Sequence, residues 1–391
     1  MHRKDKSTSI LLVCPEFPLP SNHGGRVDVI LSLKKLVDHF NSVDILYVDW
    51  DEANNDQLDA LKKISNGNVF FVRRTKSIFN FFSFLPFQLS SRNGLAKFSS
   101  ELNYDVVFVH QDYCALFFDN LLAKNSQCRI LRRHNLESKY FKSLSNTQHF
   151  FNLRFWYYFT EYIKFIFFEK FYSKRLSYNL ILFISQDEYF ESNFINKLWV
   201  PPSLTLDSFS PPTDTTFRVC FVGSLFMDNN LEGLLWYLDR VHPLIIKDCS
   251  EYKLLIAGNP RDNDVSFLSS YENIELYLSP SDNELNNIYS SCSVFISPMF
   301  NGAGVKLKTV NAIVNGLSVV GTDIGCQGCG LVNNKHAYIA NDEYVFSSSV
   351  LKLLKDENLR ISMINNAQQH IAQKFNVDYE DIFSNCFVDF K

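Results

Sequence analysis

The chain has 391 residues, too many for one ordinary domain and enough for two that each bury a full core. Its 38 Lys and Arg against 42 Asp and Glu leave a formal charge of −4 with no long basic stripe, which excludes a nucleic-acid backbone as main partner. Nine cysteines lie mostly inside apolar strand-like runs and read as small buried hydrophobes in a reducing, cytoplasmic compartment. The first apolar run, Ile10 to Cys14, is too short for an export signal and is expected to be a strand. Further strands are expected at "SVDILYV", "NVFFV", "YDVVFV", "CRILRR" and "NLILFIS", separated by helical patterns, the signature of a parallel sheet covered by helices. An uncharged aromatic segment, Ser77 to Ser90, interrupts the series, flanked by Arg73, Arg74 and Lys76 and by Arg92 and Lys97. Aromatic residues bordered by cations suit an anionic membrane surface, and peripheral contact with the inner face of the cytoplasmic membrane is expected through 77–90. The longer run Phe150 to Tyr172 is broken by Arg154, Glu161, Lys164 and Glu169, so it cannot span a bilayer and is expected to be a buried helix. Two Pro-Pro pairs then mark a linker at 200–215. It divides a first domain, 1–199, from a second, 216–375, and 376–391 is expected to be a C-terminal helix crossing back to the first domain. The second half repeats the alternation with "FRVCFVG", "YKLLIAG", "NIELYL", "CSVFISP" and "LSVVGT". Two doubly wound domains in tandem imply a cleft, with ligands at the carboxyl ends of the strands.

Four places at those strand ends carry chemistry. Gly24 and Gly25 separate the first strand from the next helix; without G-x-G-x-x-G spacing they suit a loop that a ligand approaches closely rather than a dinucleotide fingerprint. His134 follows "CRILRR" on the same sheet edge, where it serves either a sugar hydroxyl, as hydrogen-bond donor or general acid–base group, or a helix cap beside Asn135. Gly223 and Ser224 end a strand of the second half and lead into a helix. In "NGAGVKLKTVNAIVNG", Asn301 to Gly316, a helical spacing of Leu307, Val310, Ile313 and Val314 puts Gly302 and Gly304 in the preceding turn. Backbone N–H groups there face either an anion or solvent, and Lys306 and Lys308 add positive charge. Alternating positions point to different helix faces, so one of the two lysines is expected to reach a ligand. "CQGC", Cys326 to Cys329, has no second ligand pair at zinc spacing, and no metal is expected.

In this order, "LRRHNLES", "FISQDE", "FVGSLFMDNNLEGLLWYL", "LLIAGNP" and "FISPMFNGAGVKLKTVNAIVNGLSVVGTDIG" resemble the retaining GT-B glycosyltransferases of the group-1, GT4 type that build bacterial surface polysaccharides. The resemblance covers nearly the whole chain. It implies two Rossmann-like, doubly wound domains facing a central cleft, the first holding the acceptor and the second the donor. The implied reaction moves a sugar, with retention, from a nucleotide-diphosphate sugar to a glycan acceptor, lipid-linked in such pathways. No cofactor and no metal is implied, because lysines and amides neutralise the leaving diphosphate. Carried onto this sequence, Gly24 and Gly25 lie near the donor phosphates, His134 contacts the transferred sugar, and Gly223, Ser224 and Lys306 face the diphosphate. Gly302, Ala303, Gly304, Lys308 and Asn311 complete the donor side, with Lys306 the more important lysine. The chain departs from the family where two glutamates eight residues apart are replaced by Ala303 and Asn311, and where an Arg and a Lys are replaced by Ser224 and Asn230. Asn311 motivates an alternative, a degenerate member that binds donor or glycan without turnover. A two-domain solute-binding protein and a dinucleotide oxidoreductase fit less well, for want of an export signal and of a fingerprint.

Overall fold

The computed structural model describes residues 8–20, 24–146, 148–202, 217–302, 304–375, 379–380 and 382–383. Most of the expected linker, from residue 203 on, lies outside them. The chain divides into two compact units, Met1–Leu204 with Val377–Lys391, and Thr205–Asn376.

Unit 1 is built on seven strands: β1 Ile10–Cys14, β2 Val43–Asp49, β3 Asn66–Arg73, β4 Val106–His110, β5 Cys128–Arg133, β6 Leu180–Phe183 and β7 Lys197–Trp199. All pair in parallel, in the order β3-β2-β1-β4-β5-β6-β7. Every residue of β1 and β4 is buried, as expected when both faces of a parallel sheet are covered and the strands read as continuous apolar runs. One face packs on the helix Gly24–Phe40 through Val29, Leu33 and Leu36, and this core also takes Tyr379, Ile382 and Phe383, whose ring meets that of Phe40 at 4.7 Å.

Unit 2 carries β8 Arg218–Val222, β9 Lys253–Gly258, β10 Ile274–Leu278, β11 Val294–Ser297, β12 Ser318–Gly321 and β13 Tyr338–Ile339. They form a parallel sheet in the order β10-β9-β8-β11-β12-β13. The strand order reverses between β1 and β4 in the first unit and between β8 and β11 in the second. At such a point the chain leaves adjacent strand ends in opposite directions, and the carboxyl edge is left open for a ligand.

Three expectations need correction. The run from Phe150 to Tyr172 is helical, as Leu153–Phe167 and a π-helical turn Phe168–Tyr172, but it is not buried: Glu161, Phe165 and Phe168 are, whereas Trp156, Phe159, Ile163, Phe167 and Phe171 are exposed. Aromatic residues recur on every face of this helix, and only one face can meet the rest of the unit. Of the cations flanking Ser77–Ser90, Arg92 is buried, donating to Pro15 O at 2.9 and 3.1 Å, so it holds the fold and is not available to a surface. Among the described residues seven cysteines are free and buried, as packed hydrophobes should be, but Cys128 is disulfide-bonded.

Candidate active site

In unit 1 the site is assembled from the start of the helix Gly24–Phe40 and the ends of β4 and β5. Gly24 and Gly25 open that helix, and Asp28, one turn on, points into the core. Arg132 from β5 grips it with two bonds, Nε to Oδ2 at 2.7 Å and Nη2 to Oδ1 at 2.6 Å, and spends a further donor on Val200 O at 3.1 Å. Burial alone would raise the Asp28 carboxyl. The Arg132 charge and hydrogen bonds, with those of His134, hold it far below the ordinary carboxylate range. Arg133, the next residue, faces the other side of the sheet and is neutralised in the same way by buried Asp112, at 2.7 and 2.8 Å.

His134 lies against this ion pair, nearly buried. Its Nε2 is 3.1 Å from Asp28 Oδ2 and 3.1 Å from His110 Nδ1, and its Nδ1 is 3.1 Å from the side-chain nitrogen of Gln111. A Gln111 amide that donates to Nδ1 leaves the ring proton on Nε2, where Asp28 accepts it. Both ring nitrogens are therefore engaged within the protein. His110 is fully buried, and burial, against the pull of Asp28, keeps it neutral at physiological pH. Gln111 has φ 63° and ψ 148°, a region close to glycine-only, and its N–H is tied to Arg132 O at 2.9 Å. Strain of that kind marks a position whose side chain is held for a purpose. Asp28, His110 and His134 are also the one group among the described residues that approaches metal-ligand spacing. Arg132 already occupies both carboxylate oxygens, so the donor set fits a hydrogen-bonded ion pair rather than a cation.

In unit 2 the expected residues converge at the β8/β11 switch point. Gly223 and Ser224 follow β8, and Gly223 N donates to Ala257 O at 3.0 Å. The approach is so close that a Cβ on Gly258, at the end of β9, would fall 1.9 Å from Gly223 O. Asn230, buried in the helix Asp228–Trp236, ties the turn by donating to Ser224 O at 2.9 Å. Across from it, Gly302 and Gly304 adopt φ 124° and 75°, values that L side chains rarely take, before the helix Leu307–Val314. Thr309 anchors this helix through Gly325 O at 2.8 Å and Ser297 Oγ at 3.2 Å.

Both lysines are held inside this turn. Lys306 caps the helix rather than belonging to it, so the expectation that alternating positions diverge does not apply. Its Nζ donates to Gly304 O at 3.0 Å. Lys308 Nζ donates to Asn230 Oδ1 at 2.6 Å and sits 5.2 Å from the centre of the Phe221 ring. Burial, and then the Lys306 charge, push Lys308 down from 10.5 to about 7, and no carboxylate offsets that repulsion. Asn311 is exposed and, among the described residues, its side chain has no hydrogen-bond partner. Ala303 lies outside the described residues.

Asp28, His110, Gln111 and Arg132 were not singled out by sequence. The available signal was "CRILRR", where a strand that must be buried carries two arginines and so demands two buried carboxylates. A cavity of unit 1, about 600 Å³, lies elsewhere, lined by Arg133, Glu169, Lys174, Tyr178, Phe194 and Ile195.

The profile of the family described as "Glycosyl transferases group 1" matches residues 216–356, which include the unit-2 turn with both lysines. Over 97% of its length the chain is 36% identical to an uncharacterized 44.6 kDa protein in the cps region of Klebsiella pneumoniae, of which 98% is covered. Among solved structures it resembles sucrose-phosphate synthase from Thermosynechococcus elongatus, with TM-score 0.65 and 13% identity over 96% of this chain and 99% of that one. A point variant of S. aureus TarM, solved with fondaparinux, alpha-GlcNAc-glycerol and UDP, matches with TM-score 0.65 and 11% identity over 97% and 99% of the two chains. Anabaena HepE in complex with UDP matches with TM-score 0.64 and 12% identity over 96% and 99%. These likenesses concern the fold, two parallel-sheet α/β units of the GT-B class. With the family profile on the second unit and a relative spanning both, the chain belongs to the group 1 glycosyltransferases.

Proposed function

We propose that this enzyme transfers a sugar, with retention of anomeric configuration, from a nucleotide-diphosphate sugar to a lipid-linked glycan during bacterial surface-polysaccharide assembly. The observation that carries this is Lys308 at the β8/β11 switch point, whose ammonium is held on the Asn230 amide oxygen beside Lys306. The Lys306 charge opposes that of Lys308, and a diphosphate is an anion that favours the charged form of both. In the reaction the bond from the anomeric carbon to the diphosphate oxygen breaks, and the acceptor hydroxyl oxygen bonds to that carbon from the same face. Its proton passes to the departing phosphate oxygen. Lys306 and Lys308 stabilise the charge that grows on the leaving group, and neither metal nor cofactor takes part. Gly223, Ser224, Gly302 and Gly304 let backbone approach the phosphates. In unit 1, His134 is assigned to the sugar, oriented by Asp28, with Gln111 as the neighbouring amide able to turn toward a hydroxyl; Gly24 and Gly25 open the helix beside it. The relative in a cps region supports the surface-polysaccharide setting, and the neighbours solved with UDP support a nucleotide donor. A lipid-linked acceptor places the work at the inner face of the cytoplasmic membrane, with peripheral contact through 77–90.

The test is a panel of UDP- and GDP-sugars with lipid-linked glycans extracted from membranes, read by release of nucleoside diphosphate. Release from one donor, suppressed by Lys306→Ala, is the expected result. Asn311, exposed where the family has a glutamate, favours the competing reading of a protein that binds donor without turnover. Nucleotide binding with no release across a broad acceptor panel would establish that one.

A further inference from the structure

The helix Leu153–Phe167 is apolar on two opposite sides. Phe165 and Phe168 are buried in the unit-1 core, where Phe165 stacks on Phe141 at 5.2 Å between ring centres. At about 100° per residue, Trp156, Phe159, Ile163 and Phe167 fall within about 80° of one another on the other side. All four are exposed. The segment Ser77–Ser90 packs directly against this helix: Lys164 Nζ donates to Phe81 O at 2.7 Å, and Phe87 N donates to Glu161 Oε2 at 2.8 Å. It adds Phe79, Phe82 and Phe84, exposed by 79%, 80% and 99%. An apolar side left exposed opposite the one that packs on the core, with an aromatic segment bonded beside it, marks an interaction surface.

The charges around the patch identify what covers it. Between Phe150 and Arg175 the sequence has Arg154, Lys164, Lys170, Lys174 and Arg175 against two carboxylates. Glu161 is buried on Lys164 and Phe87 N, and Glu169 is bonded to Ser138 at 2.6 and 3.0 Å. Arg154, Lys170, Lys174 and Arg175 are exposed, as are Arg73 and Lys76 beside the other segment, and neither segment exposes an acid. No helix of the described residues is long and apolar enough to cross a membrane. We infer that the stripe from Trp156 to Phe167, joined to Phe79–Phe84, seats unit 1 on an anionic bilayer surface. Its aromatic rings enter the boundary between headgroups and acyl chains, and the surrounding cations lie over lipid phosphates. This deepens the proposed function, resting on its lipid-linked acceptor, by naming the partner and the main contact: the helix carries the longer part of the surface, and 77–90 alone is its margin.

The experiment is co-sedimentation of the full chain with phosphatidylcholine vesicles, with and without phosphatidylglycerol. Wild type is expected on the anionic vesicles, less so as salt rises, with Trp156 emission quenched by brominated lipid and that signal lost in Trp156→Phe. Trp156→Ser/Phe159→Ser/Ile163→Ser changes exposed positions only and should lower partitioning by roughly a hundredfold. Lys170→Gln/Lys174→Gln should weaken binding to anionic vesicles and leave neutral ones unaffected. Vesicle binding that is absent in wild type, or undiminished in a folded triple variant, overturns the inference. So does a concentration-dependent dimer that the triple variant dissolves while vesicles go unbound, which would assign the face to a second copy. Titration of UDP into the same preparations reads the donor site separately, so failure of the bilayer seat and failure of the proposed function are distinguishable.

Discussion

Lys308 faces an amide where an ion pair would be the ordinary solution, and the Lys306 charge adds to the cost of its burial. Lowered from 10.5 to about 7, Lys308 gives up its proton earlier in the folded protein than in the unfolded chain. The unliganded fold therefore gains stability as pH rises from about 7 toward 10.5. Anion binding has the opposite sign, because a diphosphate favours the charged form and takes up a proton. Affinity for UDP should be full below about pH 7 and weaken above it, by up to roughly tenfold per pH unit for one coupled proton. Calorimetric titration in buffers of different ionisation enthalpy counts that proton, and Lys308→Gln should abolish it. Lys306→Ala should cost on the order of 2–4 kcal/mol in kcat/KM. Negligible effects from both Lys306→Ala and Lys308→Ala would displace the diphosphate from this turn. In unit 1, Asp28→Asn leaves Arg132 charged and buried without its partner, and denaturant unfolding should show a loss of about 3–5 kcal/mol.

At the scale of elements, what the sequence revealed and what it hid follow from local patterning. Interior strands such as β1, β4 and β11 are continuous apolar runs and could be read directly, as could the glycines that end β8 and precede the helix Leu307–Val314. The edge strands β7 and β13 have three and two residues, too few to show a period. Composition also misled where burial depends on context: Phe150 to Tyr172 looks like core, yet in the helix Leu153–Phe167 only the face carrying Glu161 and Phe165 is buried. The Asp28–Arg132 pair joins residues 104 apart and had no local signal beyond the paired arginines of β5. Gly258 closes the run "YKLLIAG", but its close approach to Gly223 has no local signal in the sequence. Gly258→Ala should push the Gly223–Ser224 turn out of place, lowering both the unfolding midpoint and nucleotide affinity. An unchanged affinity would show that the turn does not contact the ligand.

At the scale of the whole molecule, two units repeat one plan, a parallel sheet whose strand order reverses beside a glycine-bearing turn. The first unit neutralises its buried arginines internally, on Asp28 and Asp112, and holds the His134 ring between Asp28 and the Gln111 amide. The second holds Lys308 on an amide oxygen beside the Lys306 charge, which is the property expected of a seat for an anionic leaving group. That division of labour was legible from the resemblance in outline, whereas the lysine partners and the engagement of His134 needed coordinates. The chain should therefore act on a nucleotide-activated sugar with both units intact. The most direct check is mass and NMR analysis of a lipid-linked glycan after incubation with the enzyme and its nucleotide sugar. The expected product is the glycan heavier by one sugar residue, with the anomeric configuration of the donor kept and an equal amount of nucleoside diphosphate released. An enzyme that binds nucleotide, yet leaves every donor and every glycan unchanged, would contradict sugar transfer by this chain.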